Sequence, residues 1–273
     1  MRFKVWTEEN GQKDIFEYDA KETKDGVWYA ELDLVDFSDN GEFVANAYAI
    51  IGENEFGVAS ERFELLPEPI VVPEGFGTAV TKGERVYVKE VPRLLQKPEL
   101  PTGCESVSLT IVLKAMGYDL EKTEIADKYL PRGTDLATTY VGDPHSVSGA
   151  GCFPPAIVKT ANDYLRENKD TRTAHNITGT SMDDLCIYLD NGSPVILWTT
   201  CDMRYPAHMG SVSTFRGRAY EWYSGEHCVV LYGYDKEKEV YLISDPLEGL
   251  VERDEKEFKD IYDEIGRYAV VIY

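Results

Sequence analysis

One stretch of the chain, residues 100–118, joins a loop to a long apolar helix and limits what the rest can fold into. Pro101 disfavours a helix, and Gly103 permits a sharp turn just before Cys104. From Cys104 onward apolar residues recur at three- and four-residue spacings, and Gly117 is a typical helix stop. In the first turn of a helix, unpaired backbone N–H groups and the helix dipole favour a thiolate near neutral pH. The pattern therefore predicts a mostly buried helix that begins with either a reactive cysteine or a small core residue.

The composition of the chain excludes several classes of partner. Its 273 residues include 28 basic and 49 acidic side chains, which gives a net charge of −21. An acidic chain is poorly suited to nucleic acid or to an anionic membrane surface. The longest apolar runs have the length of a strand, well short of the roughly 18 residues of a membrane helix. The sequence therefore predicts no nucleic-acid partner, no membrane span and, because residues 1–6 lack an apolar segment, no signal peptide at Met1.

Five cysteines are spread widely along the sequence. Their odd number leaves at least one unpaired thiol in a monomer, and the lack of a Cys-x-x-Cys spacing disfavours a zinc ribbon or a thioredoxin-type site. The sequence contains no motif for a metal or another cofactor, so none is expected. For Cys186, Cys201 and Cys228 we expect core packing or one disulfide.

Residues 1–66 show short alternating segments separated by Asn-Gly and Asp-Gly turns. This pattern predicts a small all-β, sandwich-like domain. Its first strand is expected to leave an exposed, unpaired sheet edge near residues 3–7 unless another segment covers it. The acidic residues Asp33, Asp36 and Asp39 fit a plain acidic turn better than a calcium loop, because their spacing matches no EF-hand.

Residues 67–88 are rich in proline and glycine and lack periodicity, which predicts a linker. Residues 89–273 have a mixed α+β pattern. Helices are predicted at 104–116, 123–130, 155–165, 181–190 and 255–264, and strands at 86–88, 194–199, 227–233, 240–245 and 268–272. Thr180 or Ser181 is the expected cap of the fourth helix.

Of the four histidines, His227 differs from the others because it begins an apolar strand. A cysteine nucleophile needs a base and a third group that orients the base. The next strand ends in Asp245, and the short polar turn between the two strands favours a hairpin. If the hairpin is centred near Lys236, His227 pairs directly with Asp245, about 5 Å away at Cβ. A shift of one residue would spoil this alignment. The remaining histidines lie in loop-like sequence and are weaker candidates: His145, His175 and His208.

Over residues 89–273 the chain resembles papain-like cysteine peptidases of the bacteriocin-processing, or double-glycine, peptidase-like family. The matching residues are Gln96, Pro101-Thr102-Gly103-Cys104-Glu105-Ser106, Gly192-Ser193-Pro194, Glu226-His227-Cys228 and Ser244-Asp245-Pro246. The resemblance implies helices packed on an antiparallel sheet. It also implies Cys104 as nucleophile, His227 as general base and then acid, and Asp245 as the residue that orients His227. Gln96 matches the side-chain donor of the family's oxyanion hole, with the Cys104 backbone N–H as second donor; its alternative reading is a polar linker residue.

The chain departs from this family in two respects. The family commonly has Cys-Gly-Pro where this chain has Cys104-Glu105-Ser106, and a carboxylate beside the thiol opposes its ionisation. The sequence also shows no attached transporter, so the double-glycine substrate does not carry over. Cys152 also lies just before a predicted helix and is the alternative nucleophile, although a structural or cleft-lining role suits it better.

The N-terminal segment is similar to the Bsp-like repeat of bacterial surface and wall-associated proteins. The similarity lies in Val5 to Ile15, Tyr18-Asp19-Ala20, Gly26 to Tyr29 and Asn40 to Phe43. Because the match begins within a repeat, Met1 is interpreted as a truncated start. The resemblance implies an extracellular or cell-wall-associated location.

Together these features predict a thiol-dependent hydrolase of peptide or isopeptide bonds at the bacterial surface, acting through an acyl-enzyme on Cys104. The expected partner is a peptide or protein substrate, which could be linked to the cell wall. Two alternatives stay open. One is an acyltransferase or amidase that acts on cell-wall peptides with the same triad. The other is a binding or adhesion module whose peptidase domain is catalytically silent.

Overall fold

The computed structural model describes residues 1–7, 15–30, 41–52, 54–65 and 72–273. The chain divides into two compact units, Met1–Ile70 and Val71–Tyr273. The second unit contains every residue that the sequence analysis proposes for catalysis.

The first unit is built on a four-stranded antiparallel sheet of order β2-β1-β5-β6, and β3 pairs separately with β4. The strands are β1 (Arg2–Thr7), β2 (Phe16–Asp19), β3 (Lys21–Glu22), β4 (Trp28–Tyr29), β5 (Gly41–Ile51) and β6 (Asn54–Leu65). Val5 and Phe43 form its buried centre. Alternation along the strands brings such apolar side chains to one face.

The prediction of an exposed sheet edge near residues 3–7 is wrong. Strand β1 lies inside the sheet, because Arg2–Val5 pair with β2 and Arg2–Thr7 pair with β5. The pairing with β5 is remote in sequence, so the local pattern of β1 does not reveal it. The small sandwich stays a prediction, and the acidic turn with Asp33, Asp36 and Asp39 lies outside the described residues.

The second unit is a mixed α/β domain, as residues 89–273 predict. Its helices are α1 (Cys104–Ala115), α2 (Pro154–Glu167), α3 (Met182–Asp190) and α4 (Glu255–Glu264). Its strands are β7 (Ala79–Lys82), β8 (Arg85–Val88), β9 (Arg132–Gly133), β10 (Tyr140–Val141), β11 (Ala174–Asn176), β12 (Val195–Thr200), β13 (His208–Phe215), β14 (Arg218–Tyr223), β15 (Glu226–Asp235), β16 (Val240–Asp245), β17 (Gly249–Asp254) and β18 (Ala269–Ile272).

An eight-stranded antiparallel sheet forms the centre of this unit, with the order β11-β18-β12-β15-β16-β17 and with β8 joining β15 to β7. Strand β15 pairs with three others, β12, β16 and β8. A bulge between Leu231 and Gly233 shifts its register against β16. The strand that carries the candidate base His227 is therefore the most extensively paired in the sheet.

Helix α1 is a core helix. Its residues from Cys104 to Leu113 are all buried, so it is enclosed on every side rather than amphipathic. It packs on β15, where Ser108 Oγ donates to the Cys228 carbonyl oxygen at 3.0 Å. The chain leaves the helix through Gly117, whose φ of +94° suits glycine. This is the glycine stop that the sequence predicts.

The other helices follow the predicted pattern with changes at their ends. Pro154 and Pro155 occupy the first turn of α2, where a missing N–H costs nothing. Ser181 caps α3 by accepting the Asp184 N–H at 3.2 Å. The second predicted helix is reduced to a π-helical turn, Ile125–Tyr129. Of the helices described, none has the length and apolar character needed to cross a bilayer.

The segment predicted as a linker, residues 67–88, joins the second unit before it ends, because β7 and β8 form a hairpin in the main sheet. Upstream of this hairpin, the Gly75 N–H bonds to the Asn191 carbonyl oxygen at 2.8 Å and the Gly77 N–H to that of Gly192 at 3.0 Å. A Cβ on Gly75 would lie 2.5 Å from the Gly192 backbone carbon. The absence of a side chain at Gly75 thus allows the backbone of this segment to pack closely against the backbone at Gly192.

Candidate active site

The predicted nucleophile lies where a crowded loop meets the buried helix. Cys104 is the first residue of α1, and its side chain is buried. A Cβ on the preceding Gly103 would lie 2.9 Å from Leu100 Cβ and 3.2 Å from Pro144 Cβ. Ser106 Oγ donates to the Gly103 carbonyl oxygen at 2.9 Å and closes the turn. These contacts fix Cys104 at the helix start and require glycine before it.

His227 and Asp245 meet at the ends of neighbouring strands. His227 Nε2 lies 2.8 Å from Asp245 Oδ1, and both side chains are buried. Asp245 Oδ1 also accepts the Leu247 N–H at 2.7 Å, and Arg253 Nη2 donates to Oδ2 at 3.3 Å. Because Nε2 faces Asp245, Nδ1 is the ring nitrogen that could exchange a proton with a nucleophile. A carboxylate therefore sets the orientation of this imidazole.

The charge state of Asp245 suits this orienting role. Burial raises the pKa of Asp245, but the hydrogen bond and charge of His227, together with the Leu247 N–H and the charge of Arg253, outweigh burial. The pKa of Asp245 consequently lies below its usual value. An ionised carboxylate in this position stabilises an imidazolium when one forms.

This contact forms in a register that the sequence does not predict. The ladder between β15 and β16 pairs Leu231 with Ile243 before it shifts at the bulge. Continued toward the strand ends, this register sets Asp245 opposite Val229, so the predicted direct pairing of His227 with Asp245 is wrong. The two side chains are instead diagonal neighbours, which long side chains can bridge. The difference arises at the turn, because Asp235 pairs with Val240 and the hairpin is centred between Glu237 and Lys238 rather than near Lys236.

Gln96, the predicted oxyanion donor, is buried beside the loop that leads to Cys104. Its Nε2 donates to the Pro101 carbonyl oxygen at 2.8 Å, and its Oε1 is buried without a hydrogen-bond partner among the described residues. The Gln96 N–H bonds to the Pro246 carbonyl oxygen at 2.8 Å, one residue beyond Asp245. One amide hydrogen thus holds the loop, and the second is the one that a substrate oxygen could use.

The electrostatic surroundings of Cys104 oppose its ionisation. Burial, followed by the charges of Glu105, Glu226 and Cys228, raises the pKa of the Cys104 thiol well above its usual value, and a backbone hydrogen bond from Cys228 offsets only part of this. The expectation that the helix start favours a thiolate near neutral pH is therefore wrong for this arrangement. Burial and a neighbouring carboxylate outweigh the helix N-terminus.

Two buried carboxyl groups lie beside the thiol. The Cys104 thiol donates to Glu105 Oε2 at 3.3 Å, and the polar side-chain atoms of Cys104, Glu105 and Glu226 lie within 4.8 Å of one another. Burial raises the pKa of Glu105 to about 7. Burial and the charge of Glu105 raise the pKa of Glu226 well above its usual value. The sequence analysis treats Glu105 only as a departure from the family pattern and misses Glu226. The available signal for Glu226 is its place immediately before His227 in a strand that is apolar on both faces.

The structure arranges the predicted residues in two groups, the Cys104 group and the His227–Asp245 pair. Within the described part of the chain, no hydrogen bond joins Cys104 to His227. The two groups are linked through Glu105, because the charge of His227 lowers the pKa of Glu105 against the larger effect of burial. Both oxygens of Glu105 accept hydrogen bonds, one from Cys104 and the other from Cys152.

Cys152, the alternative nucleophile, is a core residue behind the same site. Its N–H donates to Glu105 Oε1 at 2.7 Å, and its carbonyl oxygen accepts from Trp198 Nε1 at 3.0 Å. Burial raises the pKa of the Cys152 thiol well above its usual value. All five cysteines are free thiols in this structure, so the alternative of one disulfide is not realised.

The other candidate side chains have partners of their own. His145 Nε2 lies 2.7 Å from Asp127 Oδ1, the ring of His175 stacks on Tyr273 at 4.2 Å, and His208 is exposed on β13. In the aromatic stretch from Phe215 to Tyr223, the side chain of Trp222 lies 3.1 Å from where a Cβ on Gly151 would be. The same Cβ would lie 2.6 Å from Glu105 Oε1 and 3.0 Å from Glu226 Oε2, so Trp222 borders the Cys104 group.

Comparison with known proteins identifies the family. Residues 88–270 match the Peptidase_C39 like family. The chain belongs to this family. Among solved structures, a C39-like peptidase candidate from Bacillus anthracis is 25% identical, with a TM-score of 0.60 over 70% of this chain and 98% of that chain. The second unit therefore has the C39-like peptidase fold.

Two further similarities place this C39-like chain among its relatives. The uncharacterized protein YvpB of Bacillus subtilis is 30% identical over 188 residues, which are 65% of this chain and 72% of YvpB. A double-glycine-motif protease from an AMS/PCAT transporter, solved in complex with its leader peptide, is 17% identical with a TM-score of 0.38 over 71% of this chain and 94% of that chain. The second similarity is too weak to transfer a mode of peptide binding.

Proposed function

We propose that this C39-like protein is a thiol-dependent hydrolase of peptide or isopeptide bonds with a papain-like triad of Cys104, His227 and Asp245. The observation that carries the proposal is the buried contact of 2.8 Å between His227 Nε2 and Asp245 Oδ1. His227 lies on β15, the strand against which α1, the helix of Cys104, packs. Membership of the C39-like family supports a cysteine peptidase.

In the proposed reaction, His227 Nδ1 accepts the Cys104 thiol proton, and the thiolate attacks the carbonyl carbon of the scissile bond. The imidazolium, stabilised by ionised Asp245, returns that proton to the leaving amine, which leaves an acyl-enzyme on Cys104. His227 then takes a proton from a water molecule whose oxygen attacks the acyl carbon. The C–S bond breaks, the acid is released, and the imidazolium returns its proton to the Cys104 sulfur. The Cys104 N–H and the free hydrogen of Gln96 Nε2 would stabilise the oxyanion in both steps.

We also propose that the protein acts at the bacterial cell surface. Support for this location comes from the resemblance of the first unit to the Bsp-like repeat. Mild protease treatment of intact producing cells, followed by mass spectrometry of the released peptides, tests it. Recovery of peptides from this chain together with known surface proteins is the expected result. Recovery only after lysis would contradict it.

One observation favours a second candidate, a catalytically silent binding module. Cys104 donates its hydrogen bond to Glu105 rather than to His227, and its surroundings raise the pKa of the thiol. A nucleophile that stays protonated would leave the cleft able to bind a peptide without cleaving it. An acyltransferase with the same triad would be distinguished by a product in which the acyl group is joined to an amine. An amidase would be distinguished by the release of a cell-wall peptide acid.

The test combines peptide hydrolysis with alkylation resolved by site. The wild type, Cys104→Ala and the matched control Cys186→Ala are incubated with a synthetic peptide library, and the products are read by mass spectrometry. We expect cleavage by the wild type and by Cys186→Ala but not by Cys104→Ala. Iodoacetamide should also modify Cys104 faster than the other cysteines, and His227→Ala should remove this advantage. Full cleavage by Cys104→Ala would overturn the assignment of the nucleophile.

A further inference from the structure

We propose that Glu105 is a positioning residue for the Cys104 thiol, and that its charge decides whether the thiol proton stays on sulfur. When neutral, Glu105 donates its carboxyl hydrogen to sulfur and permits the thiolate. When ionised, it accepts the S–H and holds the cysteine as a thiol. This inference rests on the proposed role of Cys104 as nucleophile and adds a residue to that site.

The two oxygens of Glu105 have different partners. Oε1 accepts the Cys152 N–H at 2.7 Å, which fixes the plane of the carboxyl group. Oε2 then faces Cys104 Sγ at 3.3 Å. The side chain is completely buried, so water does not screen an ionised Glu105 from the sulfur. A thiolate beside an ionised Glu105 would place two negative charges at this separation, which strongly disfavours that state.

The closeness of Glu226 to Glu105 favours the retention of a proton by these two carboxyl groups. A Cβ on Gly151 would lie 2.6 Å from Glu105 Oε1 and 3.0 Å from Glu226 Oε2, so glycine is what lets both carboxyl groups approach. Glu226 Oε1 has no hydrogen-bond partner among the described residues. Two carboxylates that share a buried site do not both ionise at neutral pH, and they titrate as a pair.

The groups that interact with this pair come from several elements. They are Cys104 of α1, Tyr140 of β10, Cys152 before α2, Trp198 of β12, Cys201 just after β12, Tyr223 of β14, and His227 and Cys228 of β15. Of these, only His227 can carry a positive charge. Burial raises the pKa of Glu105 to about 7, so the carboxyl group changes its charge in the range where the enzyme would work.

Proton accounting follows from this arrangement. The Cys104–Glu105 pair can hold one proton in two ways, as a thiol beside a carboxylate or as a thiolate beside a carboxylic acid. The two states differ only by the transfer of that proton from sulfur to Glu105 Oε2. His227 can draw the thiol proton without charge repulsion only while Glu105 keeps its own proton. As pH rises above about 7, Glu105 loses that proton first, and Cys104 ionises only at a higher pH.

The test measures the alkylation rate of Cys104 by iodoacetamide against pH, in EDTA buffer, for the wild type and Glu105→Gln. Glutamine keeps an acceptor for the Cys152 N–H and offers a permanent donor to sulfur, so it copies the neutral form. We expect the midpoint for Cys104 to fall by at least about one pH unit, which makes alkylation near pH 7.5 roughly tenfold faster. An unchanged or higher midpoint would overturn the proposal.

Matched variants separate this effect from a general loss of charge. Glu226→Gln removes a carboxyl group from the same pair but leaves the hydrogen bond between Glu105 and Cys104 in place, so it should move the midpoint less than Glu105→Gln does. The exposed Glu121→Gln should not move it. An equal shift in Glu226→Gln would mean that total negative charge, not the Glu105 contact, controls the thiol. Cys152 and Cys228 have no exposed surface, whereas Cys104 is 5% exposed, so alkylation of Cys152 or Cys228 reports that a variant has unfolded.

A second measurement on the wild type stays informative if Glu105→Gln fails to fold. The infrared band of a protonated buried carboxyl group should be present below neutral pH and should weaken through about pH 7. Absence of any such titrating band would overturn the proposal. These readouts concern one thiol and one carboxyl group, so they can succeed even if no peptide is cleaved, and failure of the proposed hydrolase would show separately.

Discussion

His227 Nε2 and Asp245 Oδ1 approach to 2.8 Å although their backbone positions are not paired across the sheet. The aspartate is held in turn by the Leu247 N–H, which donates to the same oxygen, Oδ1, and by Arg253, which donates to Oδ2. The imidazole therefore receives its orientation from a carboxylate that is itself fixed by the turn after β16. A substitution in that turn should therefore change the orientation of the His227 ring although the substituted residue does not contact it.

Replacing Asp245 by asparagine tests the orienting carboxylate. Asparagine can keep a hydrogen bond to His227 but cannot stabilise an imidazolium, so kcat should fall by at least about tenfold and by as much as 10⁴. The KM for a cleaved peptide should change little. Steady-state kinetics of Asp245→Asn beside the exposed control Asp260→Asn make the measurement. Equal kcat values in the two variants would remove Asp245 from the mechanism.

Replacing Gln96 by alanine tests the oxyanion donor. Loss of one such donor should lower kcat/KM by roughly 10²–10³. The lost bond to the Pro101 carbonyl oxygen should also lower the free energy of unfolding by about 1 kcal/mol. Asn162→Ala is the control, because Asn162 makes two hydrogen bonds to the backbone of Ala174 away from the site. A Gln96 variant that loses stability but keeps its kcat/KM would show a structural role only.

Adding a methyl group at Gly103 tests the crowded turn before Cys104. The new Cβ would lie 2.9 Å from Leu100 Cβ, so Gly103→Ala should lower the free energy of unfolding by about 1–3 kcal/mol. Urea denaturation measures the change. Gly57→Ala is the control, since its Cβ would meet only the ring of Tyr48, at 3.8 Å. Equal stability losses would mean that the turn before the nucleophile tolerates the group.

The ion pair of Asp170 predicts a pH dependence of stability. Hydrogen bonds from Arg172, and then from Tyr118, hold the pKa of Asp170 well below its usual value. A lowered pKa stabilises the folded state above the unfolded pKa of about 3.9, and this contribution is lost as pH falls below it. Asp170→Asn should therefore be less stable than the wild type at neutral pH, and the difference should shrink toward pH 2. Thermal denaturation across this range makes the measurement, and a difference that grows on acidification would contradict the assignment.

Much of the second unit can be predicted from local sequence. Pro101, Gly103 and Gly117 bracket α1, and its apolar spacing shows that the helix is buried. The His227–Asp245 pair can also be anticipated, since one residue begins an apolar strand and the other ends the next. The register is different, because the hairpin turn is centred between Glu237 and Lys238 rather than near Lys236, and the local sequence does not fix that position.

Features that depend on remote contacts could not be predicted in this way. The neighbours of β1 are set by β5, and no local pattern reveals that pairing. The pKa of Cys104 is raised first by burial and then by the charges of Glu105 and of Glu226, and both burial and the approach of Glu226 arise only in the folded core. A rule based on the helix N-terminus alone therefore predicts the opposite direction.

The position of β15 inside the sheet has a consequence for how the molecule opens. Its amides are paired with strands on both sides, so their exchange with solvent requires the breaking of several ladders together. Cys104 begins a helix, where the first N–H groups have no intrahelical acceptor and fraying begins. Partial opening should therefore displace the nucleophile while the histidine and aspartate stay together. The least durable part of the active site is then the end that carries the sulfur.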